Sequence, residues 1–363
     1  MTLERSFRLS PGDETLFVRP GVEQPEDIRS TGVRRRRRRL TLSECVEGIV
    51  RGDRIVLARA ITLIESSRGE DAELAQQIID ACLPRSGDSI RVGITGVPGA
   101  GKSTFIEALG NYLIGKGNRV AVLAVDPSSE RSGGSILGDK TRMERLANSE
   151  MAFIRPSPAG GSLGGVARRT RETMILCEAA GFRTVLIETV GVGQSETLVH
   201  GMVDFFLLLM IAGAGDELQG IKRGIVEMAD LLAINKADGD NLRAADRAKR
   251  EFAQALHLFP ARETGWTPQA VTCSSVTGGG IADVWDAVLH HRAQMQASGW
   301  FDQNRRQQRQ TWLREAVRNQ LLEQFRHDER VKAALPGIEQ TVREGVLSPT
   351  SAAKALIEKF RGK

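Results

Sequence analysis

Gly96-Val97-Pro98-Gly99-Ala100-Gly101-Lys102-Ser103 restricts the fold of this chain more than any other segment. It reads GxxxxGK[ST], directly after the apolar run Ile90–Thr95 and directly before a helical stretch. Small residues at such a turn let backbone N–H groups point inward, at the positive end of the following helix, where they cradle phosphate oxygens. The pattern predicts that Gly96 to Ser103, with Thr104 behind them, surround a nucleotide's phosphates. Lys102 would neutralise the β/γ-phosphates, and Ser103 would ligate Mg²⁺.

A strand–loop–helix of this kind belongs in an α/β sheet, and the text on either side agrees. Short apolar runs alternate with helical ones at Ile90–Thr95, Val120–Val125, Ala152–Ile154, Thr184–Glu188, Phe205–Ile211, Leu231–Asn235 and Ala270–Cys273. Runs that are apolar throughout suit strands buried on both faces. The expectation is a doubly wound, mostly parallel sheet over 88–297, with ligands gathered at the carboxyl ends of its strands. Residues 1–39 read as a flexible arginine-rich leader. Residues 40–87 read as a helical segment broken once, at Ser66-Ser67-Arg68-Gly69. Residues 298–363 read as a helical arm. Its apolar face (Leu313, Val317, Leu321, Phe325) stands beyond a polar stretch, Asn304 to Gln310, that separates it from the core. Ser348-Pro349 suits the N-cap and first turn of a last helix. An arm with an apolar face of its own predicts a homodimer.

The base is addressed by Asn235-Lys236-Ala237-Asp238, an NKxD at the end of an apolar run. Asp238 can accept hydrogen bonds from guanine N1–H and the 2-amino group, neither of which adenine offers. Asn235 would address the other edge, and the stem of Lys236 can cover the ring. A site built for such bonds rejects an analogue lacking them by on the order of 10⁴. GTP and GDP are therefore the expected ligands. Glu188-Thr189-Val190-Gly191 reads as a DxxG-like γ-phosphate sensor, with the Glu188 carboxylate acting on Mg²⁺ and the Gly191 N–H on the γ-phosphate. Val192 follows that glycine where Ras-type proteins carry a catalytic Gln, and Gln194 is out of register, so slow unaided hydrolysis is expected. Asp126 and Asp139 flank a Gly/Ser-rich loop that suits a mobile switch near Mg²⁺. Taken singly, each also suits an N-cap or a turn. A Gly-rich stretch from Ile211 ends at Lys222-Arg223, placing a cation where it could reach the γ-phosphate.

Composition narrows the classes further. The net charge is +5, yet the six arginines Arg34 to Arg39 exceed it alone, and aromatics are only 5%. A nucleic-acid binder built on stacking platforms is not expected. Cys45, Cys82, Cys177 and Cys273 lie far apart with no CxxC, which suits a reducing compartment and neither zinc nor a disulfide framework. The longest apolar run, Phe205 to Ala212, falls far short of the roughly 20 residues of a membrane span. With no apolar signal core near the N-terminus, the expectation is a cytoplasmic protein.

Three long strings go further: VDPSSxxSGGSxLGDKTRM from Val125, ETVGVGQSE from Glu188, and AGAGDELQGIK from Ala212. With them the chain, from about Leu40 through the arm, resembles the MeaB-type G-protein chaperones of methylmalonyl-CoA mutase, also labelled ArgK or LAO/AO transport ATPases. The resemblance implies a homodimeric, Mg²⁺-dependent GTPase that binds an adenosylcobalamin-dependent acyl-CoA mutase. It would gate delivery of the cofactor and protect the mutase from inactivation. It also places Ser103, Asp126, Asp139 and Glu188 in the metal and switch region, and makes Ile211–Lys222 an extra switch loop whose Lys222 helps hydrolysis. The guanine-side segment departs from the pattern, reading Ser274-Ser275-Val276 where Ser-Ala is usual. Two other readings stand beside this one. A kinase of an amino-acid transport system would need a phosphoacceptor site, and a metal-insertion GTPase would need a Cys/His cluster; the sequence shows neither.

Overall fold

A computed structural model describes residues 38–66, 68–125, 143–156, 163–189, 195–213 and 223–362. Leu40–Lys363 form one unit of the chain. Its centre is a seven-stranded parallel sheet. The strands are β1 (Ile90–Gly96), β2 (Val120–Val125), β3 (Ala152–Arg155), β4 (Thr184–Thr189), β5 (Phe205–Ile211), β6 (Leu231–Asn235) and β7 (Gln269–Thr272). Their order across the sheet is β3-β2-β4-β1-β5-β6-β7. β1 lies between β4 and β5, where the winding changes direction, so its carboxyl end opens on the crevice that takes ligands in such sheets.

The strands are apolar throughout because both faces are covered. Alternate side chains leave β1 and β2 on opposite sides. Val92, Ile94, Val120 and Val122 join a core formed with α4 (Lys102–Gly115), α9 (Leu242–Leu256) and α10 (Ile281–Ala297). Ala121, Leu123, Val185 and Ile187 join a second core with the N-terminal helices and α6 (Leu163–Ala179). Residues 40–87 thus help to cover one face of the sheet. Short helices α5 (Glu144–Asn148), α7 (Ser195–His200) and α8 (Arg223–Met228) fill the remaining crossovers.

The N-terminal segment holds three helices, α1 (Leu42–Val50), α2 (Arg54–Glu65) and α3 (Gly69–Cys82), not the two that its periodicity predicts. The extra break has a local cause. Gly52 sits at φ 77°, a left-handed conformation costly for other residues, and Asp53 then caps α2 by accepting from Ile55 N at 2.8 Å and Val56 N at 3.1 Å. α1 begins on a capping box between Thr41 and Glu44.

The arm comprises α11 (Trp300–His327), α12 (Glu329–Arg343) and α13 (Pro349–Phe360). Ser348 caps α13 as its sequence predicts, accepting from Ser351 N at 3.2 Å. The polar stretch Asn304 to Gln310 does not separate arm from core, which corrects the sequence reading. It is helical, and two of its residues are buried: Arg305 is 5% exposed and Gln308 6%. Arg305 donates to both carboxylate oxygens of Asp204, at 2.8 and 2.7 Å, and to the carbonyls of Gly87 and Ser89. Gln308 donates to Val203 O at 2.7 Å. Farther along α11, Leu313, Val317 and Leu321 remain 65%, 49% and 53% exposed, while Phe325 meets Phe360 edge-on.

Candidate functional site

The glycine-rich loop leaves β1 against the backbone of its neighbour. A Cβ on Gly96 would stand 2.2 Å from the carbonyl oxygen of Leu209 on β5, a contact that no side-chain-bearing residue tolerates. Ala100 N donates to Val97 O at 3.1 Å to close the turn, and Gly101, at φ 83°, begins α4. Pro98 and Gly99 are exposed at the loop's crest, and Thr104 is exposed one residue behind Ser103. Lys102 Nζ folds back to donate to Gly96 O at 3.0 Å and Val97 O at 3.4 Å. Burial lowers the Lys102 pKa, and the negative charges of Glu188 and then Glu196 oppose that shift. An ammonium in this position is only partly compensated by carbonyl dipoles, and phosphate oxygens offer it a better partner.

Two other segments converge on this loop. Glu188 lies near the end of β4, in register with Ile94 of β1, and its Oε1 accepts from Ser103 Oγ at 3.1 Å. One residue on, the Thr189 and Thr95 hydroxyls bond at 2.8 Å across the same strand pair. A hydroxyl and a carboxylate side by side form an all-oxygen donor set, which suits a hard cation such as Mg²⁺. Among the described residues no group of three or more His, Cys, Asp or Glu could hold a metal ion by itself.

Asn235, 1% exposed at the end of β6, ties the base side to the phosphate side. Its Nδ2 donates to Ala100 O at 2.8 Å, and its Oδ1 accepts from Ser275 N at 3.1 Å and Ser275 Oγ at 2.8 Å. One N–H of the amide remains for a base edge. Lys236 then adopts φ 59°, and Asp238 receives the Ser274 hydroxyl on Oδ2. Lys236 and Val276 are exposed, Asp238 half-buried. The departure at Ser275 therefore adds a hydroxyl that holds the Asn235 carbonyl in place.

The structure thus brings together Gly96–Thr104, Glu188, Asn235–Asp238 and Ser274–Val276. Asp126, Asp139, Gly191, Gln194 and Lys222 lie outside the described residues. Sequence reasoning passed over Glu196, which is 3% exposed and whose Oε2 has no hydrogen-bond partner among the described residues, next to Ser195, whose buried Oγ also has none among them. The signal that could have found Glu196 was its place as the last residue of the ETVGVGQSE string.

A parallel sheet of this order, with GxxxxGK[ST] at the end of its central strand and NKxD at the end of β6, defines a P-loop GTPase. Residues 57–330 match the family described as Methylmalonyl Co-A mutase-associated GTPase MeaB, and the chain belongs to that family. It is 54% identical over 312 residues to a putative GTPase of Caulobacter vibrioides, covering 86% of this chain and 95% of that one. It is 46% identical over 326 residues to the mitochondrial methylmalonic aciduria type A homolog of Mus musculus, covering 87% and 79%. Among solved structures it resembles a LAO/AO transport system kinase, with a TM-score of 0.69 at 40% identity, covering 88% of this chain and 97% of that one.

Proposed function

We propose that this GTPase serves an adenosylcobalamin-dependent acyl-CoA mutase, methylmalonyl-CoA mutase or a close relative. It would gate cofactor delivery and protect the mutase from inactivation. The observation that carries the reading is the membership of this site, P-loop and NKxD together, in a mutase-associated family.

In this reading Asp238, held by Ser274, accepts from guanine N1–H and the 2-amino group, while Asn235 and Lys236 address the edge and face of the base. The Ser275–Val276 backbone closes the pocket over O6. Lys102 leaves the carbonyls of Gly96 and Val97 for the β/γ-phosphates, and Ser103 and Glu188 hold Mg²⁺, with Asp126 and Asp139 in the same metal and switch region. Bound Mg²⁺ neutralises charge between the phosphates. The Gly191 N–H reads the γ-phosphate, and Lys222 brings a cation to it when the partner selects the closed loop. A cation so placed contributes on the order of 10³-fold or more in rate.

Homodimerisation follows from the α11 face of Leu313, Val317 and Leu321, which recurs every four residues and stays about half or more exposed among the described residues. The proposed setting is the cytoplasm, without a nucleic-acid or membrane partner; among the described residues no helix is long and apolar enough to cross a membrane. Single-turnover GTP hydrolysis, measured with and without a cobalamin-dependent mutase, tests the proposal. Stimulation by the mutase that disappears in Lys222→Ala, with GDP affinity intact, is expected. No stimulation and no co-purification with such a mutase would refute the assignment of partner.

A further inference from the structure

At the amino ends of β5 and β6, on the opposite edge of the sheet from the phosphate loop, lies a cavity of about 180 Å³. The length of β5, roughly 20 Å for a strand of this size, separates it from Gly96 and its neighbours. Phe205 and Phe206 contribute from β5, Met295 from α10, and Trp300 and Phe301 from the first turn of α11. His291 of α10 also lines it. This residue is 7% exposed, and its ring packs edge-on to Phe205 and Trp266, at 5.1 and 4.9 Å between centroids. No hydrogen bond of the described residues reaches either of its ring nitrogens.

We propose that this cavity is a binding site for a small uncharged aromatic molecule, about one ring in size, that hydrogen-bonds the His291 imidazole. Three features select that chemistry. The first is charge. The carboxylates in the wall are already matched, Asp204 by Arg305 and Asp230 by Arg262 at 2.5 Å. Asp230 also accepts from Phe206 N at 2.8 Å, and the Arg262 guanidinium donates to the carbonyls of Glu227 and Ala229. A charged ligand would find no unpaired countercharge and would lose its hydration. The second is the imidazole. Burial holds its pKa below the ordinary value, so at neutral pH it offers one donor and one acceptor and no charge.

The third is volume and lining. An apolar cavity of about 150 Å³ is enough for benzene, and water needs two to four polar partners per molecule to settle. Here the lining is mixed: Phe205, Phe206, Met295, Trp300 and Phe301 offer apolar surface, while His200, Thr264 and Asn304 stand beside the paired carboxylates, so a flat ring that carries one polar group matches the wall. A hydroxyl or ring N–H on that molecule would give the His291 imidazole, which lines the cavity, a hydrogen-bond partner. Because the walls come from the sheet and from the first turn of α11, an occupant would bridge core and arm.

The test uses the full chain and phenol as probe, with toluene and benzoate as controls, read by ligand-observed NMR titration. Phenol should bind, GDP should not displace it, and benzoate should bind at least about tenfold more weakly. His291→Phe keeps a ring in place but removes both nitrogens. It should weaken phenol by about tenfold, the scale of one net hydrogen bond, and leave toluene unchanged. Met295→Trp should fill the space and abolish binding of both while GDP affinity stays as in the parent chain. Absence of phenol binding, displacement by GDP, equal binding of benzoate, or persistence of binding in Met295→Trp would each overturn the proposal.

Discussion

Asn235 shows how much one carboxamide can organise. Buried at the end of β6, it reaches Ala100 in the phosphate loop and Ser275 in the segment after β7, so the two halves of the nucleotide site share a single rigid strut. Asp238 is positioned from the same corner, with the Ser274 hydroxyl on Oδ2. In Asp238→Asn an acceptor facing guanine becomes a donor facing two donors. Losing two hydrogen bonds to a charged group costs about 3–6 kcal/mol, so GDP affinity should fall by at least about 10²-fold, and xanthosine diphosphate should overtake GDP. Calorimetric titration of GDP, XDP and ADP checks this, and an unchanged GDP affinity would remove Asp238 from the base contact.

At the scale of elements, α11 has two different sides. Near its start it is fastened to the core by Arg305, whose side chain is 6% exposed and whose partner Asp204 is 5% exposed. Among the described residues, Arg305→Ala would leave that carboxylate buried with only the Arg91 backbone N–H on Oδ2, at 2.9 Å. Breaking a buried pair in this way costs about 3–5 kcal/mol. Urea unfolding should report a loss of that size, and a loss below about 1 kcal/mol would mean that apolar contacts alone dock the helix. Farther along, Val317 and Leu321 face solvent in the single chain. Val317→Glu with Leu321→Glu should therefore yield a folded, nucleotide-binding monomer by light scattering. A cut near Gly299 would be the wrong experiment, because it also removes Arg305 and Gln308 from the core. A double variant that remains a dimer would show that this face does not form the interface.

Across the whole chain, stability should carry a signature of His291. Burial lowers its folded-state pKa, the charges of Asp230 and Asp204 opposing the shift and those of Arg262 and His290 reinforcing it. The unfolded chain, with an ordinary imidazole near pH 6.5, therefore takes up the proton first as pH falls. The contribution of the neutral ring is complete above about that pH and is lost below it, until the folded state protonates as well. Thermal unfolding at pH 7.5 and 5.5 should show a smaller loss of Tm in His291→Phe than in the parent chain. Equal losses would place the acid sensitivity elsewhere.

What the sequence determined alone is local or periodic. β5 runs from Phe205 to Ile211 as its apolar run predicts, and β7 is displaced by one residue because its shorter run has no sharp polar edge. The phosphate loop was legible because its shape depends on consecutive backbone conformations that glycines permit, and NKxD because its polar residues follow a buried strand. The tertiary structure alone decided the rest. Arg305 reads as one more charge in a Gln/Arg-rich helix until its partner, 101 residues earlier, comes within reach. Asn235 reads as a base contact and not as a strut until Ala100, 135 residues away, lies beneath it. His291 reads as a helix residue until β5 and α11 enclose it. Hydrophobic periodicity specifies which face of an element is buried, but not which distant polar group meets it there, because that depends on how the chain closes the sheet.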